Sequence, residues 1–289
     1  MKIKILIPVY NDWQSVIKLL ENINLEVSNL SYEFSVIILN DASTEDKPEI
    51  SLNLDNLNSV IIINMKENRG HARCNATGLK YIFEKELFDY VVLMDGDGED
   101  RPEEIKQLID NLNYYPDKPI VGERVKRSEG IFFKFCYFLH KLITLTFTGE
   151  SIKYGNYTCL PKSIVEKMIN EKATWSSFSG SLAKVAKDRA GAPSERGTRY
   201  FGPSKMSFKN LIVHSLAIIS VFKIKVLIRS ILFLVVYLFL IHQNISVVML
   251  IPVIFVIALL VSIFIVSVRE NLDELNSSLS NISNIDNIK

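Results

Sequence analysis

Between Ser230 and Val268 the chain contains no Asp, Glu, Lys or Arg. No other stretch restricts the possible architecture so sharply. One bilayer crossing takes about 20 apolar residues, so this run is too long for a single span and sufficient for two. His242-Gln243-Asn244 is the natural turn between them. Soluble helices of that length carry a polar face, and these do not. Lys223, Lys225 and Arg229 precede the first span, Arg269 follows the second, and the turn has no Lys or Arg. Basic flanks of this kind predict that both ends of the hairpin are cytoplasmic. Residues 1–207 would then share that side. The opening Met1 to Tyr10 is too short and too quickly polar for a signal peptide, and reads as a buried strand.

The first part of the chain has a different rhythm. Apolar runs at 3–9, 34–39, 60–63, 90–94 and 119–121 alternate with helix-like segments near 13–27, 46–56, 71–86 and 102–114. That alternation predicts an α/β domain, a mostly parallel central sheet with helices on both faces. Such sheets bind ligands at the carboxyl ends of their strands. Polar groups follow the apolar runs: Asn11 and Asp12, Asn40 and Asp41, Glu67-Asn68-Arg69-Gly70, then Asp95 and Asp97. Four strand ends would converge on one crevice.

The fourth of these ends is the most acidic. Tyr90-Val91-Val92-Leu93-Met94 runs into Asp95-Gly96-Asp97-Gly98-Glu99-Asp100-Arg101-Pro102. Carboxylates this close repel one another unless cations offset them. Oxygen-only donors suit a hard divalent ion, Mg²⁺ or Mn²⁺, which takes one or two carboxylates and completes its shell with water and phosphate oxygens. The plainer reading, an acidic first turn of a helix, accounts for Glu103 and Glu104 but leaves Asp95 and Asp97 unexplained.

The remaining signals are weaker. A net charge of +1 gives no case for nucleic acid. Cys74, Cys136 and Cys159 have no metal spacing and read as small buried hydrophobes. Gly122-Glu123-Arg124, Arg127-Ser128-Glu129-Gly130 and Tyr154-Gly155-Asn156-Tyr157 are loop-like, and Phe132 to Thr148 is expected to pack on the sheet. Arg196 to Lys205 is a basic, glycine-rich loop that suits a phosphate or, equally, a membrane surface. Phe208, Leu211, Ile212, Ser215, Ile218, Ile219 and Phe222 follow helical spacing and predict a helix in the membrane interface. The Asn- and Ser-rich segment after Arg269 reads as a frayed polar tail. The expected divisions are 1–207, a juxtamembrane segment 208–229, two transmembrane helices in 230–268, and a cytoplasmic tail 269–289.

Six motifs in order make a larger pattern: Ile7-Pro8-Val9-Tyr10-Asn11-Asp12, Asn40-Asp41-Ala42-Ser43-Thr44-Glu45-Asp46, Asn68-Arg69-Gly70-His71, the Asp95 to Glu103 segment, Gly122-Glu123-Arg124, and Arg199-Tyr200-Phe201-Gly202-Pro203-Ser204-Lys205. With the C-terminal hairpin, they resemble membrane-anchored family 2 glycosyltransferases of the GT-A fold, near dolichyl-phosphate-mannose synthase and bacterial polyprenyl-phosphate glycosyltransferases. The resemblance implies a nucleotide-diphosphate sugar donor, a lipid-phosphate acceptor, an inverting reaction at the bilayer and a divalent metal, and it allows a homo-oligomer. It would place Pro8, Tyr10, Asp12, Asp41 and Arg69 in the nucleotide pocket and Asp95, Asp97 and Glu99 on the metal. Arg124 would lie near the donor, and Arg199 and Lys205 near the acceptor phosphate. Three positions depart from the family pattern. Asn40 replaces an Asp, Asp12 replaces a Glu, and Glu99 replaces a common Gln. Two rival readings are a transferase to a hydroxyl acceptor on a glycolipid or glycan, and a non-catalytic nucleotide-sugar-binding membrane module. The first needs a base near the sugar, and the acids after Glu150 before the spans are few: Glu166, Glu171, Asp188 and Glu195.

Overall fold

The computed structural model describes residues 1–49, 52–126, 131–203 and 207–289. The chain divides into two compact units. One comprises Met1–Ser128, Lys153–Lys205 and Asn271–Lys289, the other Glu129–Ile152 and Met206–Glu270.

The first unit is an eight-stranded sheet. Its strands are β1 (Lys2–Val9), β2 (Glu33–Asn40), β3 (Ser59–Met65), β4 (Tyr90–Leu93), β5 (Ile120–Lys126), β6 (Tyr154–Pro161), β7 (Ala190–Glu195) and β8 (Ile282–Asn287), in the order β7-β5-β6-β4-β1-β2-β3-β8. The β3-β2-β1-β4 block is parallel, as the alternating pattern predicts, and β5 runs parallel to β7. Strands β6 and β8 enter antiparallel, against β4 and β3. Strand β1 is buried from Ile3 to Val9 because helices cover both faces.

Helix α1 (Trp13–Glu26) buries Trp13, Val16, Leu19, Leu20 and Ile23, one stripe at helical spacing. These side chains pack with Ile3, Ile5 and Ile7 of β1 and Phe34, Val36 and Ile38 of β2. Helix α2 (His71–Lys85) approaches β1 closely at Gly78. A Cβ there would stand 2.5 Å from Leu6 Cδ1, so any side chain would force the two elements apart. Three further helices, α3 (Ile105–Asp110), α5 (Lys162–Ile169) and α6 (Phe178–Val185), complete the layers around this sheet.

Three local expectations are corrected here. No helix forms over 46–56 among the described residues; 50 and 51 lie outside them. Pro48 and four Asn or Asp residues favour turns over helix. Asn24 supports the turn instead, bonding Asn53 and Asn56 across it. Gly122-Glu123-Arg124 and Tyr154-Gly155-Asn156-Tyr157 lie in β5 and β6, not in loops. Their polar residues have partners: Arg124 lies 3.5 Å from Asp100, and Asn156 donates to Asp95. Arg127 to Gly130 lie outside the described residues.

The segment expected to fray is folded. Helix α10 (Leu272–Asn276) is capped by Asn271, whose Oδ1 accepts from Asp273 N and Glu274 N at 3.0 Å each. Leu275 is fully buried against Ala76 and Trp175, and Trp175 Nε1 donates to Glu274 at 2.6 Å. Strand β8 then pairs with β3 from Ile61 to Met65 and covers an otherwise open parallel edge.

The second unit contains α4 (Ile131–Thr148), α7 (Phe208–Ser220), α8 (Lys223–Ile241) and α9 (Val247–Ser267). Helices α8 and α9 are long and apolar enough to cross a membrane. They are joined at His242-Gln243-Asn244, as predicted, and α8 starts earlier than Ser230. Ile219, Val226 and Ile263 form the buried centre, with Ile143 and Phe147 of α4 packed on it. Helix α4 therefore packs within this unit. Its Phe138, Leu139, Leu142 and Leu145 remain exposed, an apolar surface that matches that of its neighbours.

Candidate active site

The crevice at the carboxyl ends of β1, β2 and β4 is built from loops that the strand ends hold in place. After β1 the backbone of Asn11 turns through a positive φ of 52°. That turn lets Asn11 clasp the loop after β2. Its N–H donates to Ser43 Oγ at 2.9 Å, and its Oδ1 accepts from Thr44 N at 2.8 Å and Glu45 N at 3.1 Å. Tyr10 is exposed on this rim. Asp41 is buried and accepts from the main chain of Arg69 at 3.0 Å and Gly70 at 2.9 Å. Burial raises its pKa, and these two donors only partly offset the rise. The sequence places Asp41 and Arg69 together, and the structure does so through the Arg69 backbone.

At the β4 end every acid meets a different partner. Asp95 Oδ1 lies 3.0 Å from His71 Nε2 and accepts from Asn156 Nδ2 at 3.1 Å. Burial opposes its ionisation, yet the charge and hydrogen bond of His71, with Asn156 behind, hold its carboxyl well below the usual range. Asp97 accepts from Glu99 N at 3.0 Å and from Arg199 Nη1 at 2.8 Å. Burial and the Asp95 charge push it up to about 6 despite Arg199. Asp100 is buried; it accepts from Asp95 N at 2.9 Å and lies 3.5 Å from Arg124 Nη2. Burial and the same Asp95 charge push it up as well. Glu99 pairs with Arg196.

The basic loop lies directly on these acids. Tyr200 N donates to Asp97 O at 3.0 Å, and Gly197 N to Glu99 O at 2.9 Å. Gly98, at φ 88°, lies beneath the Tyr200 ring; a Cβ there would stand 2.6 Å from it. Arg199 bridges Asp97 to Asp12, so one guanidinium joins the β4 end to the end of β1. Lys205 lies outside the described residues.

Asp95, Asp97, Asp12, Arg124 and Arg199 are thus brought together as the sequence suggests. His71, Asn156, Asp100 and Arg196 join them without having been singled out. His71 and Asn156 stood inside motifs already noted, but only the fold brings them to Asp95. Among the described residues no three His, Cys, Asp or Glu groups converge into a metal cage. The donor set nonetheless fits a hard cation. Anionic oxygens are crowded at one strand end, burial and the Asp95 charge oppose ionisation of Asp97 and Asp100, and an Mg²⁺-type ion needs few protein ligands when phosphates supply the rest.

The family described as "Glycosyl transferase family 2" matches residues 4–163. The chain is 28% identical over 222 residues to the undecaprenyl-phosphate 4-deoxy-4-formamido-L-arabinose transferase of Klebsiella pneumoniae (strain 342), covering 73% of this chain and 64% of that protein. It is 27% identical over 221 residues to the protein of the same name from Salmonella choleraesuis (strain SC-B67), with the same coverage. The chain therefore spans just under two thirds of the length of these curated relatives. Glucosyl-3-phosphoglycerate synthase from Mycobacterium tuberculosis, solved with Mn²⁺, uridine-diphosphate and phosphoglyceric acid, superposes with a TM-score of 0.56 at 13% identity, covering 78% of each chain. Mannosyltransferase PcManGT from Pyrobaculum calidifontis, with GDP-Man and Mn²⁺, gives 0.52 at 14% identity, covering 98% of this chain and 76% of that one. Such structural likeness shows a shared fold, the GT-A type.

Proposed function

The chain belongs to glycosyl transferase family 2, and from that premise we propose that it moves a sugar from a nucleoside diphosphate to a polyprenyl phosphate at a membrane surface. Arg199 carries this reading. It joins Asp12 at the end of β1 to Asp97 at the end of β4, which supports a cation lying between the two halves of the crevice. The names of the curated relatives support the polyprenyl phosphate, and the two apolar helices support the membrane.

In this mechanism Pro8, Tyr10, Asp12, Asp41 and Arg69 bind the nucleotide. Asp95, Asp97 and Glu99 would hold a divalent cation, Mg²⁺ or Mn²⁺. When bound, that ion neutralises charge on the departing diphosphate. Arg124 steadies the acid cluster beside the donor. Arg199 turns from its carboxylates to the acceptor phosphate, to which Lys205 is also assigned. An oxygen of the lipid phosphate forms a bond to the anomeric carbon. The bond from that carbon to the diphosphate oxygen breaks, the electron pair leaves with the nucleoside diphosphate, and the configuration inverts. The attacking phosphate is already anionic, so no side chain has to remove a proton.

A hydroxyl acceptor would need a base, and two of the four downstream acids are paired with lysines. Glu171 pairs with Lys184 at 2.8 Å and Asp188 with Lys118 at 2.7 Å. The proposed topology keeps residues 1–207 and both ends of the hairpin cytoplasmic, with 271–289 folded onto the catalytic unit. Release of nucleoside diphosphate is the test. A panel of nucleotide sugars is offered with undecaprenyl phosphate, with a free glycan or with no acceptor. Release that depends on the lipid phosphate is expected, and release driven equally by the glycan would overturn the reading.

A further inference from the structure

We propose that Asp286, on the last strand of the sheet, is a positioning residue that orients Asn40 for the nucleobase of the donor; this rests on the nucleotide-binding reading above. The supporting observation is a chain of side-chain hydrogen bonds running inward from the sheet edge. Asn64 Nδ2 donates to Asp286 Oδ2 at 2.9 Å, and Asn40 Nδ2 donates to Asn64 Oδ1 at 2.9 Å. At the far end Asn40 Oδ1 accepts from Ser43 N at 2.9 Å, in the loop that Asn11 clasps.

The direction of this chain is determined by its ends. A carboxamide carries a donor and an acceptor of nearly equal shape, so a lone Asn can turn either way. A carboxylate only accepts and a backbone N–H only donates. Asp286 therefore obliges Asn64 to offer its NH₂ outward and its oxygen inward. Asn40 is then held from both sides, its NH₂ donating to Asn64 and its oxygen accepting from Ser43 N. Lys47 pairs with Asp286, and Asn284 Nδ2 donates to its other oxygen at 2.8 Å. Those hydrogen bonds, Lys47 first, lower its pKa and keep it an acceptor. Lys47 also belongs to the loop after β2, so the same carboxylate holds that loop and the amide relay.

The placement of Asp286 is well supported by its surroundings. In the β3–β8 register Asp286 stands opposite Ile62, which puts Asn64 at the diagonal, same-face position. The strand is fastened beyond both ends: Val60 N donates to Lys289 O at 3.0 Å, and Lys66 N to Asn281 O at 2.7 Å. Asn40 retains one amide hydrogen and one lone pair beyond the relay. That pair of groups complements a base edge with adjacent N–H and C=O, the edge that uracil and guanine both carry. Asp286, through Asn64, acts with Ser43 N to fix which end of the Asn40 amide faces which way.

The test uses the full chain in detergent with Mn²⁺, and compares Asp286→Ala, Asp286→Asn and Asp286→Glu with the parent. UDP, GDP and inorganic pyrophosphate are the probes, each titrated by calorimetry, with the thermal midpoint recorded alongside. Asp286→Asn keeps the shape of the side chain but can donate, so it should scramble the relay without unfolding the edge. Asp286→Ala and Asp286→Asn are expected to weaken the preferred nucleoside diphosphate about tenfold and to narrow the UDP-to-GDP preference. Pyrophosphate binding should not change, and Asp286→Glu should recover part of the loss. An unchanged UDP-to-GDP ratio, or equal weakening toward pyrophosphate, would overturn the proposal and leave β8 as an edge cover. A parent chain that binds neither nucleotide would overturn the donor reading and this inference with it, whereas the first two results leave the donor reading standing.

Discussion

At the β1–β2 end of the crevice, polar groups satisfy one another. Asn11, Asn40, Ser43, Thr44 and Asn64 are neutral, and each is held by partners that belong to the sheet or its loops. At the β4 end the groups are charged, and they are held by cations from distant parts of the chain: His71, Arg196 and Arg199, with Arg124 near the buried Asp100. The first arrangement is complete before any ligand arrives. The second is provisional, because its cations occupy oxygens that a metal and a diphosphate would claim. On the proposed function, recognition would rest on neutral hydrogen bonds and chemistry on charges that change partners.

The sharpest way to break this contrast is at Asp97. Asp97→Ala should reduce turnover by about a thousandfold or more, since transition-state charge stabilisation is commonly the largest single contribution to rate. Its circular dichroism should match the parent, and EDTA should silence the parent to a similar degree. Activity indifferent to both would end the provisional reading of the acidic side.

Arg199→Ala should come next, because in the proposed mechanism the same cation holds the resting site and then the acceptor. Acceptor use should fall about ten- to a hundredfold, the worth of one charge-assisted contact. Lys at this position should restore only part, lacking the planar fork. Calorimetry on the resting protein should show tighter Mn²⁺ binding in Arg199→Ala, since a competitor for Asp97 has gone. Equal loss toward donor and acceptor, with Mn²⁺ affinity unchanged, would count against the exchange of partners.

A smaller effect is expected on the neutral side at its one buried acid. Asp41→Asn can no longer accept from both Arg69 and Gly70 without turning an NH₂ toward a donor. That should cost about 1–3 kcal/mol, seen as a lower thermal midpoint and a raised donor KM. Smallest of all, Lys18→Ala removes an exposed ion pair with Glu21 and should change stability by less than about 0.5 kcal/mol. A larger change there would mean that surface charge contributes more than the crevice comparison allows.

The same contrast explains what could be read from the sequence. Strands β1 to β4 were legible because strands covered on both faces read as unbroken apolar runs, and Asp95 and Asp97 because acids at a strand end have no structural excuse. The membrane helices were legible from the absence of charge. The return of 271–289 to the sheet was not. Strand β8 carries only Ile282 and Ile285 as apolar residues, and an edge strand paired across more than two hundred residues leaves no local period. The partners of Asp95 were hidden for a related reason. His71 starts a helix and Asn156 lies in a strand that enters the sheet out of sequence order, so only the completed topology makes them neighbours. The missing helix at 46–56 shows the opposite failure, in which apolar spacing was outweighed by Pro48 and side chains that compete for the backbone.

One consequence follows from the two main-chain hydrogen bonds between the basic loop and the acidic one. The amide protons of Gly197 and Tyr200 are sequestered only while the loops lie together. They are therefore natural clocks for the opening of the site. In deuterated buffer they should exchange slowly in the resting protein and quickly whenever Arg199 lets go of Asp97. The rate at which two peptide groups take up deuterium would then measure how often the site opens to admit its substrates.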